Sequence, residues 1–171
     1  MGERELVARQ LGRTPRAFRR VAVRCPYGLP AVAEQAPYTP DGAPFPTTYW
    51  ITCPHLVAAI SRLEAAGGVE RWSRAVTEDE ALAASLEEAT REQREVRAAL
   101  AGDERGEDGG ASLDLGIGGS RTPRHLKCLH AHVAFALARP GYVLGERILE
   151  HVASPWPPDR CCSEELRDSL G

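Results

Sequence analysis

Thr47-Thr48-Tyr49-Trp50-Ile51-Thr52-Cys53-Pro54-His55-Leu56-Val57 changes periodicity in mid-stretch, and that change decides the fold class. Up to Cys53, β-branched and aromatic residues dominate, the composition of a pleated, half-buried strand. Pro54 then suits the first turn of a helix, where its missing N–H would have no partner anyway. Beyond it Leu56, Val57, Ile60 and Leu63 recur at helical spacing until Gly67-Gly68 ends the run.

Upstream, Phe18 to Arg24 alternates apolar and basic residues and reads as a strand, and Leu29 to Gln35 reads as a second. Cys25-Pro26-Tyr27-Gly28 between them is turn chemistry, since Pro fixes φ and Gly permits positive φ. Glu3 to Leu11 forms a short amphipathic helix closed by Gly12, and Pro37 to Pro46 is a Pro/Gly loop.

Downstream, a short helix spans Val69 to Ala75. Thr77-Glu78-Asp79-Glu80 reads as a capping box opening a long Ala/Leu/Glu/Arg helix to about Ala101, with Leu82, Leu86, Ala89, Val96 and Leu100 as its apolar stripe. Gly102 to Gly119 is expected to be a mobile loop. Thr122-Pro123 is expected to cap and start a helix through about Ala138, which Arg139-Pro140-Gly141 breaks, and Glu146 to Val152 adds a last turn or two. From Ser154 on, prolines and the vicinal pair Cys161-Cys162 read as a disordered tail. These elements predict an α+β fold: a small, mainly antiparallel sheet packed against several helices, with one long acidic helix exposed outside. Residues 1–153 form a single domain with a mobile loop at 102–120, and residues 154–171 a tail.

The 171 residues, 43% hydrophobic, suit one globular domain rather than wholesale disorder. A net charge of -3 gives no reason to expect nucleic acid binding. The first 24 residues are basic through Arg4, Arg9, Arg13, Arg16, Arg19, Arg20 and Arg24, but a chain with one Lys reflects GC-rich codon usage, so this weighs little. No apolar run approaches the ~20 residues of a membrane span and no signal-peptide core is present, so a cytoplasmic protein with no membrane partner is expected. In a reducing compartment its five cysteines serve better as thiols or metal ligands than as a disulfide framework.

His125-Leu126-Lys127-Cys128-Leu129-His130-Ala131-His132 concentrates three of the five histidines, a cysteine and the single lysine. Cys25, Cys53 and Cys128 each fall at the boundary of a predicted element. Three thiolates and one imidazole make a Cys3His set, a common structural zinc site that also suits iron. On a regular helix Cys128 shares a face with His132 and with His125, while His130 lies about 200° round; His55 is a further candidate. The rival reading is an enzyme in which Cys128 or Cys25 is a nucleophile near Arg24, Lys127 and His130, acting on a phosphorylated or otherwise anionic small molecule. Gly116-Ile117-Gly118-Gly119-Ser120, with Arg121 and Arg124, offers backbone N–H groups and charge to such an anion but lacks the Walker ending. Glu64, Glu34 and Asp114 offer general bases. Cys161 and Cys162 read as incidental.

Arg24-Cys25-Pro26-Tyr27-Gly28-Leu29-Pro30, Pro44-Phe45-Pro46-Thr47-Thr48-Tyr49-Trp50-Ile51-Thr52-Cys53-Pro54 and Lys127-Cys128-Leu129-His130 together resemble the domain of unknown function 501 family, over roughly Glu5 to Glu150. The resemblance implies no activity. It implies a mainly actinobacterial housekeeping protein, encoded commonly near septum-formation and exopolyphosphatase genes, and hence as a third reading an adaptor in the cell-division or polyphosphate machinery that docks through the helix from Thr77 to Ala101. The family's core motif ends at the position of His130, while positions like His132 vary. The resemblance thus implies His130 as the partner of Cys25, Cys53 and Cys128, with His132 the alternative. The family's Asn-Pro turn is replaced here by Arg139-Pro140-Gly141-Tyr142.

Overall fold

The computed structural model describes residues 2–168, so Met1 and the last three positions of the expected tail lie outside the described residues. Strands β1 (Phe18–Arg24), β2 (Pro30–Gln35) and β3 (Tyr49–Ile51) form an antiparallel sheet in the order β1-β2-β3. The turn between β1 and β2 closes with the Gly28 amide donating to Cys25 O at 2.9 Å, and Gly28 takes the positive φ of 84° that this turn needs. β2 is buried along its whole length, including Glu34. A carboxylate there is tolerated because Arg20 of β1 grips it with Nη2 at 2.8 Å and Nε at 3.1 Å, with Arg19 at 3.5 Å. β1 shifts register against β2 three times and turns Arg19, Arg20 and Arg24 to solvent.

Helix α1 (Glu3–Leu11) ends at Gly12 in the left-handed conformation, as expected. α2 (Pro54–Ala65) follows β3 almost directly, and α3 (Gly68–Glu78) and α4 (Glu80–Ala101) follow in turn. The expected capping box is replaced: Thr77 lies inside α3, its hydroxyl donating to Ser73 O, and Asp79 caps α4 by accepting from the Ala81 and Leu82 amides. One face of α4 is buried through Leu82, Ala83, Leu86, Ala89, Gln93, Arg97 and Ala101, so only its other, acidic face is exposed.

The core is organised around α5 (Leu129–Ala138), which is apolar on all sides and packs on β3, α2 and α6 (Val143–Glu150). Phe135 meets Tyr49 of the sheet edge-on, with ring centroids 5.7 Å apart. α6 approaches α5 at Gly145, where an added Cβ would meet His132 O at 2.5 Å.

Three expectations need correction. The helix expected from Thr122-Pro123 begins only at Leu129, because residues 121–127 form a turn tied by the Ser120 hydroxyl to Thr122 O and His125 O, with Arg124 at φ 59°. The loop expected to be mobile over 102–120 contains 3-10 helical turns at Ala111–Asp114 and Ile117–Gly119. Asp108 clamps it, accepting from the Tyr38 hydroxyl and from the Gly110 and Ser112 amides. Desolvation alone would raise that carboxyl, but hydrogen bonds from Ser112, Gly110 and Tyr38 hold it down at about 2. Finally, the tail expected to be disordered from Ser154 packs on the body. Trp156, Cys161 and Leu166 join the core, the Tyr27 hydroxyl donates to Pro157 O, and α7 (Glu164–Asp168) follows. The tail's prolines hid the apolar groups that anchor it. Among the described residues no helix is long and apolar enough to cross a membrane.

Candidate functional site

Cys25 directly follows β1, and Cys53 follows β3 as the N-cap residue of α2. The Cys25 amide donates to Leu29 O, and the Thr52 and Cys53 amides donate to Ala31 O, so both cysteines flank the start of β2 at one end of the sheet. The C-terminal segment crosses this end and adds two more thiols. Cys25 Sγ and Cys161 Sγ are 3.8 Å apart, and Cys53 Sγ and Cys162 Sγ are 3.7 Å apart. Because Cys161 and Cys162 are adjacent in the chain, the two contacts are neighbours. All are free thiols; Cys25, Cys53 and Cys161 are buried and Cys162 is exposed. Burial pushes the Cys53 thiol up to about 12, with Cys162 adding to the effect, and burial with Cys25 beside it pushes Cys161 to about 11. A cleft of about 540 Å³ beside the pair also carries His55, Arg160 and Glu164. As placed, no three His, Cys, Asp or Glu side chains among the described residues already enclose a common metal position.

Cys128 and His130 have other partners. Glu64 Oε1 on α2 accepts from the Leu129 amide at 2.6 Å and lies 3.0 Å from His130 Nδ1. His130 Nε2 is 3.2 Å from Val57 O and 3.3 Å from Ser61 Oγ, so both ring nitrogens are engaged by α2. Glu64 thus serves as the side-chain cap of α5, at a sequence separation of 65 residues. Cys128, at the N-cap position of α5, has a thiol raised by burial and by the Glu64 carboxylate, against the pull of the Ala131 and His130 amides and of Lys127. A thiol raised in this way is the opposite of an activated nucleophile. Arg24 stays with the other group, donating to Gly28 O at 3.0 Å and pairing with Glu3.

The alternative ligands also part company. His132 is buried, with Nδ1 2.7 Å from the Tyr142 hydroxyl, Nε2 without a partner among the described residues, and a pKa driven down to about 3 by burial. His125 stays exposed on the 121–127 turn. His55 Nε2–H donates to Ser154 O at 2.8 Å, which places it beside the C-terminal thiols. Of the general-base candidates, Glu34 is held by arginines and Asp114 lies in a 3-10 turn.

Sequence reasoning passed over two buried polar groups on α4. Arg97 is fully buried, donates from Nη1 to Phe45 O at 2.9 Å and leaves Nε and Nη2 without partners among the described residues. Desolvation lowers its pKa, opposed by Tyr38 and Asp108. Gln93 Nε2 donates to Leu115 O. Both continue the stripe of Leu82, Leu86 and Ala89 at helical spacing, a signal present in the sequence.

Residues 21–150 match a family model described as a protein of unknown function (DUF501). Cys25, Cys53 and Cys128 fall inside the matched range, and Cys161 and Cys162 fall beyond it. No curated protein and no solved structure matches.

Proposed function

We propose a function for this chain, which belongs to the DUF501 family of proteins of unknown function: it binds a transition metal, zinc or iron, between Cys25, Cys53, Cys161 and Cys162. The observation that carries this reading is the pair of sulfur–sulfur contacts, 3.8 and 3.7 Å. In a tetrahedral thiolate site with metal–sulfur bonds near 2.3 Å, two sulfurs stand about 3.8 Å apart. Each cysteine pair therefore already has the length of one edge of such a tetrahedron, and the ion's part is to draw the two edges together.

Burial that raises thiol pKa values disfavours thiolates until a cation compensates them, so binding releases protons and is weakened by acid. The Ser163 amide, 3.5 Å from Cys161 Sγ, is placed to stabilise the charged sulfur. Cys128 and His130, the ligands expected beside Cys25 and Cys53, are replaced in this reading by the two C-terminal thiols. The metal would clamp the C-terminal segment across the end of the sheet.

The test is elemental analysis of untagged protein grown with added zinc or iron. One metal per chain is expected in the parent and in Cys128→Ser, and loss of it in the double variant Cys161→Ser/Cys162→Ser. A metal-free parent would overturn the reading. So would metal lost in Cys128→Ser but kept in the double variant, and so would disulfides Cys25–Cys161 and Cys53–Cys162 in place of metal.

A further inference from the structure

A second cavity, sharing no residue with the thiol cluster, lies between α4, the loop before α5 and α5 itself. It holds about 260 Å³, and its wall includes Thr90 and Arg94 of α4, Ser120 and Arg121 of the loop, and His132 of α5. Arg124 and Glu87 also reach it, but these two pair at 3.6 Å, and Arg124 pairs again with Glu80 at 3.4 Å, so their charges offset. Arg94 and Arg121 have no ion pair among the described residues; Arg94 Nε is bound to the neutral Asp114 O at 2.8 Å. The wall therefore carries two uncompensated cations. His125 stands at its rim.

His132 gives this wall its direction. The ring is 2% exposed, and its Nδ1 lies 2.7 Å from the buried Tyr142 hydroxyl. The phenol proton has no other acceptor among the described residues, so Tyr142 donates and Nδ1 accepts. A neutral imidazole carries one proton, which must then sit on Nε2. Burial keeps the ring neutral at physiological pH, so this tautomer is the working one. His132 is part of the cavity wall, and its buried Nε2–H has no partner among the described residues. A buried donor without an acceptor, in a wall with two guanidinium groups that have no ion pair among the described residues, calls for an oxygen from outside the chain.

We propose that this cavity binds the phosphoryl group of a small phosphate ester, with His132 Nε2–H as the innermost donor and Arg94 and Arg121 as its cations. The Thr90 hydroxyl adds a neutral donor, so hydrogen bonds arrive from three separate elements, α4, the loop before α5 and α5. That arrangement suits a tetrahedral oxyanion better than a flat carboxylate with two oxygens. The volume holds a phosphate with a few further atoms.

The test is calorimetric titration of the full chain with inorganic phosphate and with glycerol phosphate, against succinate at matched ionic strength. Alongside it, the His132 imidazole proton is followed by nitrogen-15 NMR. Both phosphates are expected to bind and succinate not to. Arg94→Gln and Arg121→Gln, both on the cavity wall and outside the core, should each weaken binding at least tenfold, and phosphate should move the Nε2 proton downfield. Because His132→Phe alone would strip Tyr142 of its acceptor, His132→Phe/Tyr142→Phe is compared with Tyr142→Phe; only the former should lose affinity. No binding of either phosphate overturns the proposal. So does binding that succinate equals, that both arginine variants leave unchanged, or that leaves the His132 proton unmoved.

Discussion

Glu64 Oε1 on α2 stands 3.0 Å from His130 Nδ1 on α5, while also receiving the Leu129 amide at 2.6 Å. One carboxylate thereby fixes where α5 starts and which way His130 faces. Glu64→Ala strips α5 of its side-chain cap and is expected to cost about 1–3 kcal/mol in urea unfolding, the range for losing charge-assisted hydrogen bonds at a partly exposed site. Glu64→Gln, which keeps an acceptor without the charge, should lose less. Equal losses would show that the charge, rather than the hydrogen bonds, holds this corner.

His132 sets a pH dependence. Its folded pKa is about 3 and the ordinary value is 6.5, so between those values the unfolded chain binds more protons than the folded one. Stability is therefore greatest above about pH 6.5 and falls as the solution is acidified. From this group alone, about 2 kcal/mol should be lost between pH 7.5 and pH 5. His132→Gln should lower stability at pH 7.5 yet flatten that slope. An unchanged slope in chemical denaturation would assign the acid sensitivity elsewhere.

Gly145 sits where helix propensity and packing oppose each other. Alanine in a helix interior is normally favoured over glycine by about 1 kcal/mol. Here its Cβ would meet His132 O at 2.5 Å and the Ala136 Cβ at 2.6 Å, and a carbonyl of a core helix cannot step aside. Gly145→Ala is expected to destabilise by roughly 1–3 kcal/mol in thermal or urea unfolding. A rise in melting temperature would refute this close approach.

The thiols should differ in reactivity. In metal-free protein alkylated with iodoacetamide at pH 8, Cys162, the exposed one, should label first. Cys53, buried and raised to about 12, should label last. Peptide mass spectrometry gives the order directly, and Cys53 reacting as fast as Cys162 would contradict the packing of the C-terminal segment.

Asp108→Ala removes three hydrogen bonds at once, those from Tyr38, Gly110 and Ser112. Amide exchange should accelerate over residues 108–115 well before the sheet is affected, because the clamp is local to that stretch.

What was legible in the chain was what neighbouring residues decide. The Cys25–Gly28 turn, the strands beside it and the helix opened by Pro54 all follow from short-range chemistry. The start of α5 was not legible, because its cap is Glu64, 65 residues away, and Thr122-Pro123 offers a local signal that the Ser120 turn overrides. The thiol cluster was half legible. Cys25 and Cys53 mark element ends, but their partners lie 136 and 109 residues further along, in a stretch whose prolines read as disorder. His132 stood in view from the beginning, yet its unpartnered nitrogen is a property of tertiary packing alone.

A three-stranded sheet leaves its outer strands open to recruiting a strand from another molecule. β1, with three register shifts in seven residues and Arg19, Arg20 and Arg24 turned outward, presents a kinked, arginine-rich border that fits poorly against the edge of a second copy. Arg19 and Arg20, which also neutralise Glu34, thus have a second consequence: they disfavour edge-to-edge growth of the sheet from copy to copy. Exchanging them for threonines should make the chain more prone to fibrillar self-association.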